Sequence, residues 1–344
     1  MRKGAAMRRR VLVVRLDGES EVLVSGPAVR AAAQANEVTF LCGPRGEQAA
    51  RLLPGVGDVV TWSCPWVEPT PSDVDRRDVE SVRKTLQRRG FDMALILTSD
   101  HQSPLPTALL LRLAGVPWIA AVSDDHPGSL VDVCLRPGVE VDEDMPEPER
   151  ALSVARAAGF ALDPADEGRL AVRPLPKSLV RKGPYVVLHP GASAPSQAWS
   201  PQRCAEAVDE LSRRGHQVVV TGADDERALT ARVAGNYGLD LGGRMNLPQL
   251  AATIAGADAL VVGNAGPAHL AAAVGTPVVS LFSPVVPARR WAPYRVPYVL
   301  LGDQDSPCRD TRARICPLAG HPCLNNVTAT EVADAVEAMQ GVRA

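Results

Sequence analysis

Tyr185-Val186-Val187-Leu188-His189-Pro190-Gly191-Ala192-Ser193 is a short aliphatic run that stops at a turn of small residues. Ser200 and Pro201 then stand where a helix would begin, serine as the N-cap and proline in the first turn, where its missing N–H is not needed. The amphipathic stretch Pro201–Arg214 follows, and a second aliphatic run, Val218–Thr221, ends at Gly222. Strand, small-residue turn, helix and strand in that order form a βαβ unit, and such units build parallel sheets.

The alternation extends in both directions. Downstream, Ala259–Gly263 and Val278–Phe282 read as strands, with helices over Asp225–Gly235, Leu247–Ala255 and Pro267–Val274. Upstream, strands fall at Val11–Leu16, Val38–Cys42, Asp58–Thr61, Met93–Leu97 and Trp118–Val122. Helices are expected at Glu21–Ala35, Val79–Arg89, Leu105–Ala114 and Glu147–Ala158. Asp163–Pro184 is rich in proline and charge and carries one short apolar stretch, which places a linker at 171–184 between domains at 1–170 and 185–344. The last helix, Ala329–Met339, has no strand after it and is expected to pack back on the first domain. The fold class is α/β, with two Rossmann-like doubly wound domains facing across a cleft and ligands bound outside the carboxyl ends of the strands.

Size and composition agree with two domains. At 344 residues the chain is too long for one ordinary core. Hydrophobic residues at 46% and charged residues at 22% exclude global disorder. A net charge of −2 gives no general attraction to nucleic acid or to an anionic membrane. Seven cysteines with no CxxC pair do not form a disulfide framework and fit a reducing cytosol. The apolar run behind the basic start, Val11–Val14, is too short for a signal-peptide core, and no run approaches bilayer-spanning length. The expected location is the cytoplasm, with at most peripheral membrane contact.

Four turns carry chemistry. The first strand ends in Arg15-Leu16-Asp17-Gly18-Glu19-Ser20-Glu21, without the GxGxxG of a dinucleotide site, so a dehydrogenase loses its main support. Carboxylates at a strand end can deprotonate an acceptor hydroxyl as it attacks an anomeric carbon. The blander role is that Glu19 and Glu21 complement a helix dipole. The turn after Tyr185–His189 offers backbone N–H groups and a helix N-terminus as a diphosphate cradle without a metal. Thr221-Gly222-Ala223-Asp224-Asp225-Glu226 ends another strand, where an acid can accept both ribose hydroxyls or simply cap a helix. Asn264-Ala265-Gly266-Pro267-Ala268-His269 combines close backbone approach at the glycine with a histidine on the first helical turn, able to donate to a phosphate oxygen.

Two further clusters are weaker. Cys308, Cys316, His321 and Cys323 are spaced more widely than common zinc hooks. Asp303-Gln304-Asp305 has a DxD pattern but lies beside proline and cysteine in a late loop and reads as solvated. Neither is expected to bind a metal, and no cofactor is expected.

Together these turns resemble glycosyltransferase family 9, the ADP-heptose heptosyltransferases, over nearly the whole chain. The match is strongest in His189-Pro-Gly-Ala-Ser…Trp199-Ser-Pro, Gly243-Arg-Met-Asn-Leu247, Gly266-Pro-Ala-His269…Thr276-Pro277 and Leu281-Phe282. Arg15-Leu-Asp-Gly…Val22-Leu and Gly26-Pro-Ala-Val-Arg30 match its opening motif. The resemblance implies the GT-B fold and an inverting, metal-independent transfer of a heptose or related sugar from an ADP-linked or other nucleotide-diphosphate donor. The acceptor hydroxyl would belong to a glycan, a lipid-linked or a small molecule.

The resemblance also implies roles. Glu21 falls at the catalytic aspartate, the base. Ser193 and its turn would face the donor phosphates, Glu226 the ribose and the backbone at Met245 the adenine. Asn264 and Gly266 would line the sugar and His269 the diphosphate. His101, Gln102 and Ser103, after the Met93–Leu97 strand, are candidate acceptor contacts.

The chain departs from the pattern at Glu21, one methylene longer than aspartate, and at Ser20 for glycine. It departs again at Gln197 for a lysine, and at Asn264-Ala265 for Asp-Thr. Those losses leave two alternatives open. One is a catalytically degenerate GT-B protein that binds a nucleotide or glycan, and the other is a GT-B-like sugar-nucleotide epimerase.

Overall fold

The computed structural model describes residues 8–99, 102–180 and 183–339. By contacts the chain divides into two compact units, one through Gly168 and one from Arg169.

The first unit holds strands β1 (Arg10–Arg15), β2 (Glu37–Cys42), β3 (Val56–Thr61), β4 (Met93–Ile96), β5 (Ile119–Val122) and β6 (Val133–Leu135). Its helices are α1 (Glu19–Val24), α2 (Gly26–Ala33), α3 (Glu47–Leu52), α4 (Arg76–Arg89), α5 (Leu105–Leu113) and α6 (Glu147–Ala157). The strands pair in parallel in the order β3-β2-β1-β4-β5-β6. Every residue of β1 after Arg10 is buried, as a strand covered on both faces requires. Leu12 and Val14 point with Leu41, Ala94 and Ile96 toward Leu86 and Leu111 of α4 and α5.

The second unit holds β7 (Tyr185–His189), β8 (Gln217–Val220), β9 (Leu239–Asp240), β10 (Ala259–Gly263), β11 (Val278–Leu281) and β12 (Tyr298–Leu301). Its helices are α7 (Pro201–Arg213), α8 (Arg227–Ala234), α9 (Leu247–Ala255), α10 (Gly266–Val274), α11 (Ala288–Trp291), α12 (Pro322–Asn325) and α13 (Ala329–Ala338). Its order is β12-β11-β10-β7-β8-β9, again all parallel.

Three differences from the expected elements have local causes. The helix expected over Glu21–Ala35 is broken at Ser25 into α1 and α2, because Pro27 lacks an N–H and its ring crowds the carbonyl four residues back. The edge strands β6, β9 and β12 were not anticipated. Their residues are mostly half-buried and lack the apolar run that marks a central strand. Finally, α13 uses its apolar face inside its own unit, where Val332, Ala333 and Val336 join Val208 and Leu211 of α7. Arg214 at the end of α7 clamps it there through Asp334 at 2.6 Å and Glu337 at 3.2 Å. Among the described residues no helix is long and apolar enough to cross a membrane.

Candidate active site

A doubly wound sheet grows outward from its first strand in one direction and then the other. The strand ends flanking that reversal leave room for a ligand. In the first unit the reversal lies between β1 and β4. Side chains from the two exits grip each other across it. Arg15 Nη2 donates to Ser99 Oγ at 2.9 Å, and Gln102 Nε2 donates to Asp17 Oδ1.

Arg15, 1% exposed, ends β1 and places Nε 2.8 Å from Asp17 Oδ2. Its Nη2 lies 3.6 Å from Glu147 at the start of α6. Burial opposes the charge on this guanidinium, but Asp17, Glu147 and Glu21 outweigh it and hold its pKa above the ordinary value.

Glu21 occupies the first turn of α1, half-buried, with Oε2 accepting from the Gly18 amide at 3.2 Å. Burial, and then Asp17, push its carboxyl above the usual range, while Arg15 and Arg45 pull it back. Glu19 is raised to about 7 by burial and by Glu21. A carboxylate of raised pKa is a better proton acceptor than an ordinary one at neutral pH.

The expected acceptor contacts are placed unevenly. Gln102 is held by Asp17, and Ser103 Oγ donates to Asp125 Oδ2 at 2.8 Å near the start of α5. His101 lies outside the described residues. Arg15 and Asp17 belong to the same turn, but nothing local in the sequence marks the arginine as buried. An arginine in a six-residue strand is ordinarily an edge or end residue, and its burial follows from Glu147 arriving on another element.

In the second unit the reversal lies between β7 and β10. The exit of β7 forms the turn that carries Ser193, and Ser200 caps α7 by accepting from the Arg203 amide. Ser193 is exposed, and its Oγ donates to Gln197 Oε1 at 3.2 Å. The turn folds tightly over β10, for a Cβ on Gly263 would come within 2.7 Å of the Gln197 carbonyl. At the exit of β8, Glu226 accepts from the Ala223 amide at 2.8 Å. Its carboxylate fills the space where a Cβ on Gly191 would sit, 2.1 Å away. His189 Nδ1 is 3.0 Å from Thr221 Oγ1 and Nε2 is 4.0 Å from Glu226. Burial lowers the His189 pKa, against the opposing pull of Glu226.

At the exit of β10, His269 on the first turn of α10 is 5% exposed, its Nδ1 has no hydrogen-bond partner among the described residues, and its ring lies 6.1 Å from that of Trp291. Burial depresses its pKa to about 4, so it is a neutral donor or acceptor at pH 7. Gly266 opens α10 behind Ala265, the extended residue that caps it. Asn264 is engaged within the protein. Its amide is taken at both ends by the main chain of Ser283, at 3.1 and 2.7 Å, and ties the exit of β10 to that of β11.

Met245, half-buried, follows β9 on the turn into α9. The turns bearing His269, Ser193, Glu226 and Met245 thus leave β10, β7, β8 and β9, which are consecutive strands of one sheet.

The two weaker clusters follow β12. Cys308 and Cys323 are buried, and burial pushes the Cys323 thiol up to about 11. Gln304, between the two aspartates of the DxD, donates to the carbonyls of Phe282 and Gly302. Among the described residues no three metal-ligating side chains converge.

The profile of Glycosyltransferase family 9 (heptosyltransferase) matches residues 79–320. The chain belongs to that family. Lipopolysaccharide heptosyltransferase 3 of Escherichia coli is 30% identical over 138 residues, 38% of this chain and 41% of that protein. This chain therefore spans about two fifths of that curated relative's length.

Two solved structures share the fold. A family 9 glycosyltransferase from Veillonella parvula has a TM-score of 0.75 at 16% identity, covering 98% of this chain and 99% of that one. An E. coli heptosyltransferase solved with ADP-2-deoxy-2-fluoro heptose has a TM-score of 0.73 at 21% identity, covering 96% and 99%. The fold is the GT-B fold of family 9, built of two Rossmann-like units.

Proposed function

We propose that this family 9 chain transfers a heptose or related sugar from an ADP-linked or similar nucleotide-diphosphate donor to an acceptor hydroxyl, with inversion and without a metal. The observation that carries the reading is the order of turns along the second sheet. The residues proposed for the sugar (Gly266), the diphosphate (His269 and Ser193), the ribose (Glu226) and the base (the Met245 backbone) leave β10, β7, β8 and β9 in that order. That is the order of the groups along a nucleotide-diphosphate sugar. Three strand spacings of about 4.8 Å cover about 14 Å, the scale of such a molecule.

The carboxylates of the first unit would serve the same reaction. The acceptor oxygen bonds to the anomeric carbon on the face opposite the diphosphate and loses its proton to Glu21. The bond from that carbon to the diphosphate oxygen breaks, and its electron pair leaves with the nucleotide. A base raised by burial and by Asp17 fits the proton acceptor, and neutral His269 can donate to the departing phosphate without adding charge. Gln102 and Ser103 are the proposed acceptor contacts of the first unit. The cytoplasm is the proposed compartment, where the nucleotide sugar would be met.

Glu21→Gln tests the reading. Transfer into acceptor should fall by about 10²–10⁴, with ADP affinity unchanged by calorimetry. Full turnover in that variant removes Glu21 as the base. Tight ADP binding with no transfer from any donor by the wild type would favour the degenerate binding protein.

A further inference from the structure

A diphosphate carries more negative charge than a few backbone amides and a neutral histidine offset, yet the donor turns hold no cation. Residues 190–200, 221–226 and 264–269, after β7, β8 and β10, contain no lysine or arginine. Gln197 is uncharged, and Arg244 stands on the β9 turn, at the base end of the row. The charge has to come from elsewhere in the unit.

It comes within reach through the loop 308–314. This segment is pinned at one side to the exit of β11, where Asp310 N donates to Pro284 O at 2.9 Å and Arg312 N to Val285 O at 2.8 Å. On the other side it is pinned to the β7 turn, where Ser196 N donates to Arg314 O at 3.1 Å and Ser196 Oγ to Ala313 O at 2.5 Å. Asp310 and Arg312 adopt left-handed backbone, φ 58 and 56, unfavourable for residues with a Cβ and sustained here by those tethers.

The result is to lay Arg314 against the phosphate turn, with Nη2 3.4 Å from the Ser193 carbonyl. Its side chain is exposed and, among the described residues, has no carboxylate partner. Three other arginines of the unit differ. Arg203 is paired with Glu206, Arg227 with Asp224 and Arg309 with Asp305 and Asp310.

We propose that Arg314 is the cation that binds the donor diphosphate and stabilises it as the leaving group. The proposal rests on the donor reading above and adds to it the residue that supplies the charge. An arginine fork suits two phosphate oxygens at once, which a carbonyl-anchored guanidinium can offer with its remaining N–H groups. As the bond from the anomeric carbon to the diphosphate oxygen breaks, the negative charge appears beside this group.

Calorimetric titration with ADP, inorganic pyrophosphate and adenosine tests it on Arg314→Ala, Arg314→Lys and Arg213→Ala. Arg213 is an exposed arginine of α7 salt-bridged to Glu210 and serves as the control for net charge. Arg314→Ala should weaken ADP and pyrophosphate at least tenfold and leave adenosine unchanged, Arg314→Lys should recover part of the loss, and Arg213→Ala should match the wild type. Wild-type ADP and pyrophosphate affinity in Arg314→Ala would overturn the proposal while leaving the donor reading intact. An equal loss in Arg213→Ala would overturn it as a general charge effect. A wild-type protein that binds none of a panel of nucleoside diphosphates would remove the donor reading and the proposal together.

Discussion

The two units have the same strand order, counted outward from the first strand of each, but their reversal points are furnished in opposite ways. Between β1 and β4 the ends are filled by charged side chains that neutralise one another, with Arg15 enclosed by Asp17 and Glu147 and Glu21 close by. Between β7 and β10 the ends are turns of small residues, Gly191, Ser193, Ala265 and Gly266, that present backbone to whatever binds. One scaffold therefore supports two kinds of surface. The first raises the proton affinity of a carboxylate, and the second is the surface proposed to hold the donor diphosphate. The resemblance between the sheets is a matter of strand order and burial, and the difference lies in the few residues after each strand.

The contrast can be broken most severely at Arg15. Arg15→Met leaves Asp17 and Glu147 buried without their cation, which should destabilise the first unit by about 3–5 kcal/mol. Urea denaturation followed by two probes should then show the first unit unfolding early while ADP binding by the second persists. A cost below about 1 kcal/mol would place the network among ordinary surface pairs.

A smaller effect is expected on the glycine side. Gly191→Ala would force the Glu226 carboxylate to move, because the added Cβ would lie 2.1 Å from it. ADP affinity should drop about tenfold, equivalent to about 1.4 kcal/mol, with little change in melting temperature. Unchanged affinity would mean that Glu226 is not needed where it stands.

The smallest effects concern Glu19. Because Glu21 must be ionised to act as base and its pKa is raised, the rate should fall on the acid side at a higher pH than for an ordinary carboxylate. Glu21 raises Glu19, whereas burial and Asp17 are what raise Glu21, so Glu19→Gln should leave that limb nearly in place.

Stability carries the same sign. A carboxyl raised to about 7 favours the folded state below its ordinary pKa, and that contribution is lost as pH rises through about 7. Glu19→Gln should therefore raise the melting temperature at pH 8 by a few degrees and leave it nearly unchanged at pH 4. A pH-rate profile and two melting curves measure both.

How much was legible in the sequence depended on whether the signal was local. The central strands announced themselves because burial on both faces demands a continuous aliphatic run, and α7 and α10 because Ser200-Pro201 and Gly266-Pro267 mark helix starts. Pro27 also marked the break in the first helix, a signal present in Gly26-Pro27 but overridden by the long alanine-rich stretch around it. The local tie made by Asn264 was not legible for another reason. Its position after β10 resembles a ligand contact, but the main chain of Ser283, nineteen residues on, takes both ends of its amide.

By itself the sequence determined the βαβ alternation, the turns at the strand ends and the family, since each depends on residues within one turn or one run. The tertiary structure alone decided which strand ends stand side by side, that Arg15 is enclosed by Glu147, and that Arg314 rests on the turn of Ser193. The last two are contacts between residues more than a hundred positions apart. They follow from strand order and crossover path, which local propensity does not encode.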